Sequence, residues 1–130
     1  MPQRNEKSFV SLAYADPFYR VEFYIRRSGD VMAEAWLDAQ PLPVQQKFAS
    51  LFKWMGDHGR IFNERKFKHL TGSDQIFEFK SGDGRVLCFF FTGKRILLTH
   101  GFKKKGDNTP KGEIEMAEKI KIEFEERSKS

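Results

Sequence analysis

The chain has 130 residues, 39% of them hydrophobic and 32% charged, which is the size and balance of one domain with its own core rather than two. No apolar run approaches the roughly eighteen residues of a membrane span, and Met1-Pro2-Gln3-Arg4-Asn5-Glu6-Lys7 has no hydrophobic stretch after its charges. Neither a membrane span nor a signal peptide is therefore expected, and the predicted location is the cytoplasm. Cys88 is the single cysteine and sits among Val86, Leu87, Phe89 and Phe90. That excludes an intrachain disulfide and a thiolate-rich metal site, and neither metal nor cofactor is predicted.

The net charge of +5 is unevenly spread. Between Arg60 and Lys105 eleven bases face four acids, a local excess of seven, while the remainder of the chain stands at minus two. Such a concentration suits a polyanion, because phosphate contacts need lysine and arginine in one place.

Residues 1–18 show no sustained periodicity and are expected to be an irregular N-terminal arm. Tyr19 to Ile25 alternates, with Val21, Phe23 and Ile25 on one side, and predicts a strand that stops at Ser28-Gly29-Asp30. Asp30 can cap a short helix over Val31 to Leu37. Val44, Phe48, Leu51, Phe52 and Met55 form one apolar stripe and predict a second helix that ends at Gly56 and Gly59. The basic linker from Arg60 to Gly72 interleaves Phe62 and Phe67 with Arg65, Lys66 and Lys68. Such a segment can stack on and neutralise RNA, although the phenylalanines are expected to pack inward.

From Gln75 the pattern becomes a three-stranded meander. Ile76 to Lys80 meets Arg85 to Phe91 across Ser81-Gly82-Asp83-Gly84, and Thr92-Gly93-Lys94 leads into Arg95 to Phe102. After Lys103-Lys104-Lys105, Thr109 can cap a last helix carrying Ile114, Ala117, Ile120 and Phe124 on one side, with 128–130 as a frayed tail. The expected fold is α+β: an N-terminal strand and the meander form a small antiparallel sheet packed on two helices, with a C-terminal helix, in a single domain over 19–127.

Register decides which side chains meet. A two-residue turn at Gly82-Asp83 sets Lys80 opposite Arg85 and Glu78 opposite Leu87. A second turn at Thr92-Gly93 or Gly93-Lys94 leaves His100 on that same face. Glu78, Lys80, Arg85 and His100 then converge at an open, polar end. Phe77, Phe79, Val86, Cys88, Phe90 and Leu97 point the other way, and Leu87, Phe89, Phe91, Ile96 and Leu98 share the first face farther on. Those last residues need a cover, either the final helix or a partner protein.

A carboxylate, an imidazole and several cations on one surface can cleave RNA. One group removes the ribose 2′-OH proton, cations stabilise the phosphorane, and an acid protonates the leaving oxygen. Arg85 and Lys103 are assigned to phosphate, Lys80 to positioning, and Glu78 or His100 to proton transfer. The plainer alternative is a cross-strand ion cluster of Glu78, Arg85 and Lys80 that decorates the sheet.

The run Ile76-Phe77-Glu78-Phe79-Lys80, then Gly84-Arg85-Val86-Leu87, then Arg95-Ile96-Leu97-Leu98-Thr99-His100-Gly101-Phe102-Lys103-Lys104 and Thr109-Pro110 before an acidic helix, resembles the phage-derived HigB-like branch of the RelE/ParE toxin superfamily. The resemblance covers Tyr19 to Phe124. It implies the toxin of a type II toxin–antitoxin pair, a RelE-like domain that cuts messenger RNA, commonly in the ribosomal A site, without metal. It also implies neutralisation by a cognate antitoxin with a helix-turn-helix domain. Arg85 matches the arginine at the start of the middle meander strand, and Lys103 the basic residue after the last strand. Ile76 and Glu78 stand where ribosome-dependent members carry lysines, and Thr109 where they carry tyrosine. Glu78, His100, or electrostatic stabilisation by Arg85, Lys103 and Lys104 are left as the catalytic options. Arg65, Lys66, Lys68, Lys80, Lys104 and Lys105 are assigned to messenger or ribosomal RNA. The alternatives are a ParE-like poison of DNA gyrase and a catalytically inactive RNA-binding relative.

Overall fold

The computed structural model describes residues 9–15 and 17–129. It is an α+β fold with one six-stranded sheet and three helices: β1 (Val10–Ala15), β2 (Arg20–Tyr24), α1 (Met32–Asp38), α2 (Leu42–His58), β3 (Phe67–His69), β4 (Phe77–Ser81), β5 (Gly84–Phe91), β6 (Arg95–Lys103) and α3 (Lys111–Ser128). The sheet order is β1-β2-β6-β5-β4-β3, antiparallel throughout except where β2 runs parallel to β6. Among the described residues no helix is long and apolar enough to cross a membrane.

Two strands enlarge the expected sheet. The segment expected as an irregular arm contains β1, whose pairing with β2 shifts register between Leu12 and Tyr14. Val10 packs on one side of the sheet and Ala13 and Tyr14 on the other, so the irregularity erases the alternation that marks a strand. Residues 1–8, Asp16 and Ser130 lie outside the described residues. The linker supplies β3, three residues pairing with β4 as the sheet edge, too short to show a period.

The two faces of the sheet are covered differently. On the first, α1 and α2 bury Phe48, Phe52 and Met55 against Val21, Phe67, Phe79 and Val86, as the stripe on α2 predicts. Trp36 of α1 packs against Gly101 of β6, where any Cβ would strike the indole. On the second face α3 sets Ala117, Ile120 and Phe124 on Tyr24, Leu87, Phe89 and Leu97. The cover of the apolar end is therefore α3 of the same chain.

The helix ends depart from the expected caps. Asp30 accepts from the Ser28 hydroxyl at 2.9 Å, and α1 has Val31 at its N-cap without a side-chain cap bond. Gly56 is buried inside α2 against Tyr14, and Gly59, at φ +93°, ends the helix. Pro110 takes the N-cap of α3 instead of Thr109.

The first hairpin pairs as expected, Lys80 with Arg85 and Glu78 with Leu87. The second does not. Phe91 pairs with Arg95 across the three residues Thr92-Gly93-Lys94, with Lys94 at φ +58°. Ile96 and Leu98 therefore join Val86 and Cys88, and Leu97 joins Leu87 and Phe89, the reverse of the expected parity. A bulge at Thr99 then restores the frame, so that Leu87 pairs with His100.

Candidate functional site

The second face changes character along its strands. Beyond the hydrocarbon under α3 it carries Glu78 and Lys80 from β4, Arg85 from β5, His100 from β6, and Lys68 of β3, which pairs directly with Glu78. Antiparallel pairing puts Lys68 and Glu78 side by side on one surface.

Glu78 is 2% exposed, yet its side chain forms part of the wall of a cleft of about 270 Å³. Lys68, Lys80, Lys104, Asp107, Asn108 and Thr109 surround it, so three lysines from three chain segments share the cleft with two carboxylates. One oxygen of Glu78 accepts from the Thr109 hydroxyl at 2.6 Å. The other lies 3.0 Å from Arg85 Nε, with the N–H aimed off it, so this contact is an ion pair without hydrogen-bond alignment. Arg85 is 8% exposed and donates through Nη1 to the carbonyls of Gly82 and Gly84, at 2.7 and 2.8 Å. Its guanidinium is thus fixed into the hairpin behind Glu78, outside the cleft lining.

Burial holds the Lys80 ammonium below the usual lysine range; Glu78 opposes that effect, and the charges of Lys68, Arg85 and Lys104 add to it. A lysine short of solvent among like charges binds an anion readily, because the anion relieves the repulsion.

His100 is 4% exposed and lies apart from the cleft. Its Nε2 sits 3.1 Å from a Glu113 carboxylate oxygen at the start of α3, and its Nδ1 3.1 Å from the Thr99 hydroxyl. Burial lowers its pKa, Glu113 opposes this, and Arg26 reinforces it. The expected open surface shared by Glu78, Arg85 and His100 is therefore closed at all three, and Glu78 alone borders the cleft. α3 roofs His100, and the hairpin carbonyls hold Arg85.

The remaining predicted residues disperse. Lys103 pairs with Gly84 and lies on the opposite face, in a groove with Trp36 and Pro41. Lys66 is exposed beside α2 in a separate concavity, and Arg65 and Lys105 are exposed outside both. Sequence reasoning missed Thr109 as a partner of Glu78, because that contact spans 31 residues and exists only once α3 has docked. It missed Asn108 for the same reason. It also gave no role to Glu22, a carboxylate at the far end of this face held by Arg20 at 3.1 Å and Arg95 at 2.6 Å.

A family model described as "Phage derived protein Gp49-like (DUF891)" matches residues 35–121. The match runs from α1 into α3 and contains every residue that lines the cleft. No curated protein matches the chain. With more than half of its length matched, and the fold and cleft described above, the chain belongs to the phage-derived Gp49-like family, a RelE/ParE-like family associated with the toxins of toxin–antitoxin systems.

Proposed function

We propose that this chain is the toxin of a type II toxin–antitoxin pair, of the HigB-like kind, and that it binds and cuts messenger RNA in the cytoplasm as a single RelE-like domain. The observation that carries this reading is the convergence of Lys68, Lys80 and Lys104 on Glu78 in one cleft. Cations on separate elements can grip a phosphodiester from several sides, and a carboxylate among them can take up a proton.

In this reading Glu78 accepts the proton of the ribose 2′-OH as that oxygen attacks the adjacent phosphorus. Lys68 and Lys104 stabilise the charge gathering on the phosphorane. Lys80 donates a proton to the departing 5′-oxygen, a role suited to an ammonium below its ordinary pKa. The products are a cyclic phosphate and a 5′-hydroxyl. Arg85 acts through Glu78 as a positioning residue. The excess of seven positive charges between Arg60 and Lys105 supports attraction to RNA, and to the ribosome that carries it. A helix-turn-helix antitoxin that shields these cations is the expected partner.

A second reading, RNA binding without cleavage, is favoured by Glu78 itself, since Thr109 and Arg85 already engage both of its oxygens. Expressing the chain with and without its genomic neighbour, and mapping RNA ends on translated messages, separates the two. Growth arrest with new RNA ends, lost in Glu78→Gln and Lys80→Ala, is the expected result. Harmless expression with retained RNA affinity supports the second reading. DNA breaks with intact messages overturn both in favour of a gyrase poison.

A further inference from the structure

Outside the cleft, the most conspicuous unexplained feature is a pair of exposed aromatic rings. Phe62 is 85% exposed and Trp54 is 53% exposed. They flank a concavity of about 450 Å³ between α2 and the segment 60–66, lined also by Leu51, Arg60, Ile61 and Lys66. Phe67, the other phenylalanine of this segment, is buried in the core, so packing accounts for it and not for Phe62. His58 lies with its ring 4.3 Å from that of Trp54. The Arg60 guanidinium stands 6.0 Å from the Phe62 ring centroid and 4.9 Å from that of Phe77.

We infer that this concavity is a base-stacking subsite for a nucleotide flanking the one bound at Glu78, on the same RNA strand; the inference rests on the RNA reading above. Two exposed aromatic rings beside cations are an arrangement that can hold an unpaired base and its phosphate. Continuity between the two sites favours a nucleic-acid strand over an acidic peptide. Lys66 lines this concavity and Lys68 lines the cleft. Only Phe67 lies between them, so their backbones are at most about 7 Å apart. The Lys80 amide donates to the Lys66 carbonyl at 2.8 Å, which anchors this segment beside the cleft. β3 is an edge strand, so no neighbouring strand bars a polyanion from crossing there between the sites.

Short single-stranded oligoribonucleotides with 2′-O-methyl groups to prevent cleavage, each carrying 2-aminopurine at one position, provide the test. Stacking is expected to quench one position near the phosphate gripped by the lysines. Phe62→Ala and Trp54→Ala should each restore that emission and weaken binding about ten-fold, with melting temperatures unchanged because both rings are exposed. Lys80→Ala should instead flatten the salt dependence by about 0.7 in slope and leave the quench of the bound oligonucleotide intact. Wild-type affinity and quenching in both aromatic variants overturn the subsite while the RNA reading stands. Loss of an acidic protein partner in those variants, with RNA binding unchanged, overturns it as well. A wild-type protein that binds none of the oligonucleotides overturns the RNA reading and this inference with it.

Discussion

The two faces of the sheet are closed by different physics. Under α1 and α2 the closure is hydrocarbon, with edge-on ring contacts such as Trp36 on Phe48 at 5.8 Å and Phe52 on Phe79 at 5.1 Å. Under α3 only the middle is hydrocarbon. One end holds Glu22 between Arg20 and Arg95, and the other holds the Glu78–Arg85 pair with Thr109 and the His100–Glu113 pair. Tyr24 shows what this face demands of its polar groups. Burial first, and then its hydrogen bond to Glu123, push its phenol up to about 12. Dispersion and water exclusion stabilise without direction, whereas buried charges add little net stability but hold groups at fixed positions. The first face thus sets how firmly the domain folds, and the second sets where charge is held.

The two faces differ most at Phe48. This side chain is fully buried on the first face, so Phe48→Ala should cost about 3–5 kcal/mol in denaturant unfolding. The cleft is on the other side of the sheet, so the fraction that remains folded should keep the salt dependence of RNA binding that the cleft lysines set. A shallower salt dependence in the folded fraction would mean that the faces are coupled. On the second face, Arg85→Ala leaves the Glu78 carboxylate buried without its cation and should cost about 3 kcal/mol. Glu78→Gln in the same chain removes the stranded charge and should recover most of that loss. If the double variant is as unstable as Arg85→Ala, the pair is not the reason for Arg85.

The legibility of the chain follows the same division. The first hairpin could be read because Gly82 and Asp83 specify a two-residue turn, and from that turn the Lys80–Arg85 and Glu78–Leu87 pairings follow. The second could not, because its loop places a lysine, Lys94, at φ +58° and its strand carries a bulge at Thr99. Neither feature is encoded by residue type. The stripes on α2 and α3 announced the core, since their periods are local. The parallel pairing of β2 with β6 joins residues 75 positions apart and leaves no local trace. In the candidate site, Glu78 and Lys80 could be placed by parity, whereas Lys68 lies on a strand too short to show a period and Lys104 beyond the end of β6. The burial of His100 could not, because it depends on Glu113 from a helix that packs later in the sequence.

That burial has a consequence for pH. His100 has its folded pKa lowered, by burial first and by Arg26, against the pull of Glu113, so the unfolded chain takes up its proton more readily. Its contribution to stability is complete above the unfolded value of 6.5 and is lost as pH falls below it. Urea midpoints should therefore fall from pH 7 to pH 5 more steeply in wild type than in His100→Gln, an effect smaller than that of Arg85→Ala. Equal slopes would place the imidazole in water and dismiss α3 as its roof.

The smallest expected effect, at Lys80, has the opposite sign. Lys80 has its pKa lowered by burial, which Glu78 does not fully offset, with Lys68, Arg85 and Lys104 pushing the same way. The folded state therefore disfavours the charged amine relative to the unfolded chain, and at neutral pH the ammonium is a cost to folding. Lys80→Met keeps the length of the side chain and removes the charge, so it should raise stability by about 0.5 kcal/mol after allowance for solvent screening. It should also weaken binding of single-stranded RNA, with a shallower dependence on salt. A substitution on the first face that shortens a ring can only destabilise, whereas at Lys80 stability and RNA affinity should move in opposite directions. Lys80→Met that lost stability would place Lys80 with the structural charges at Glu22 and remove it from the cleft's chemistry.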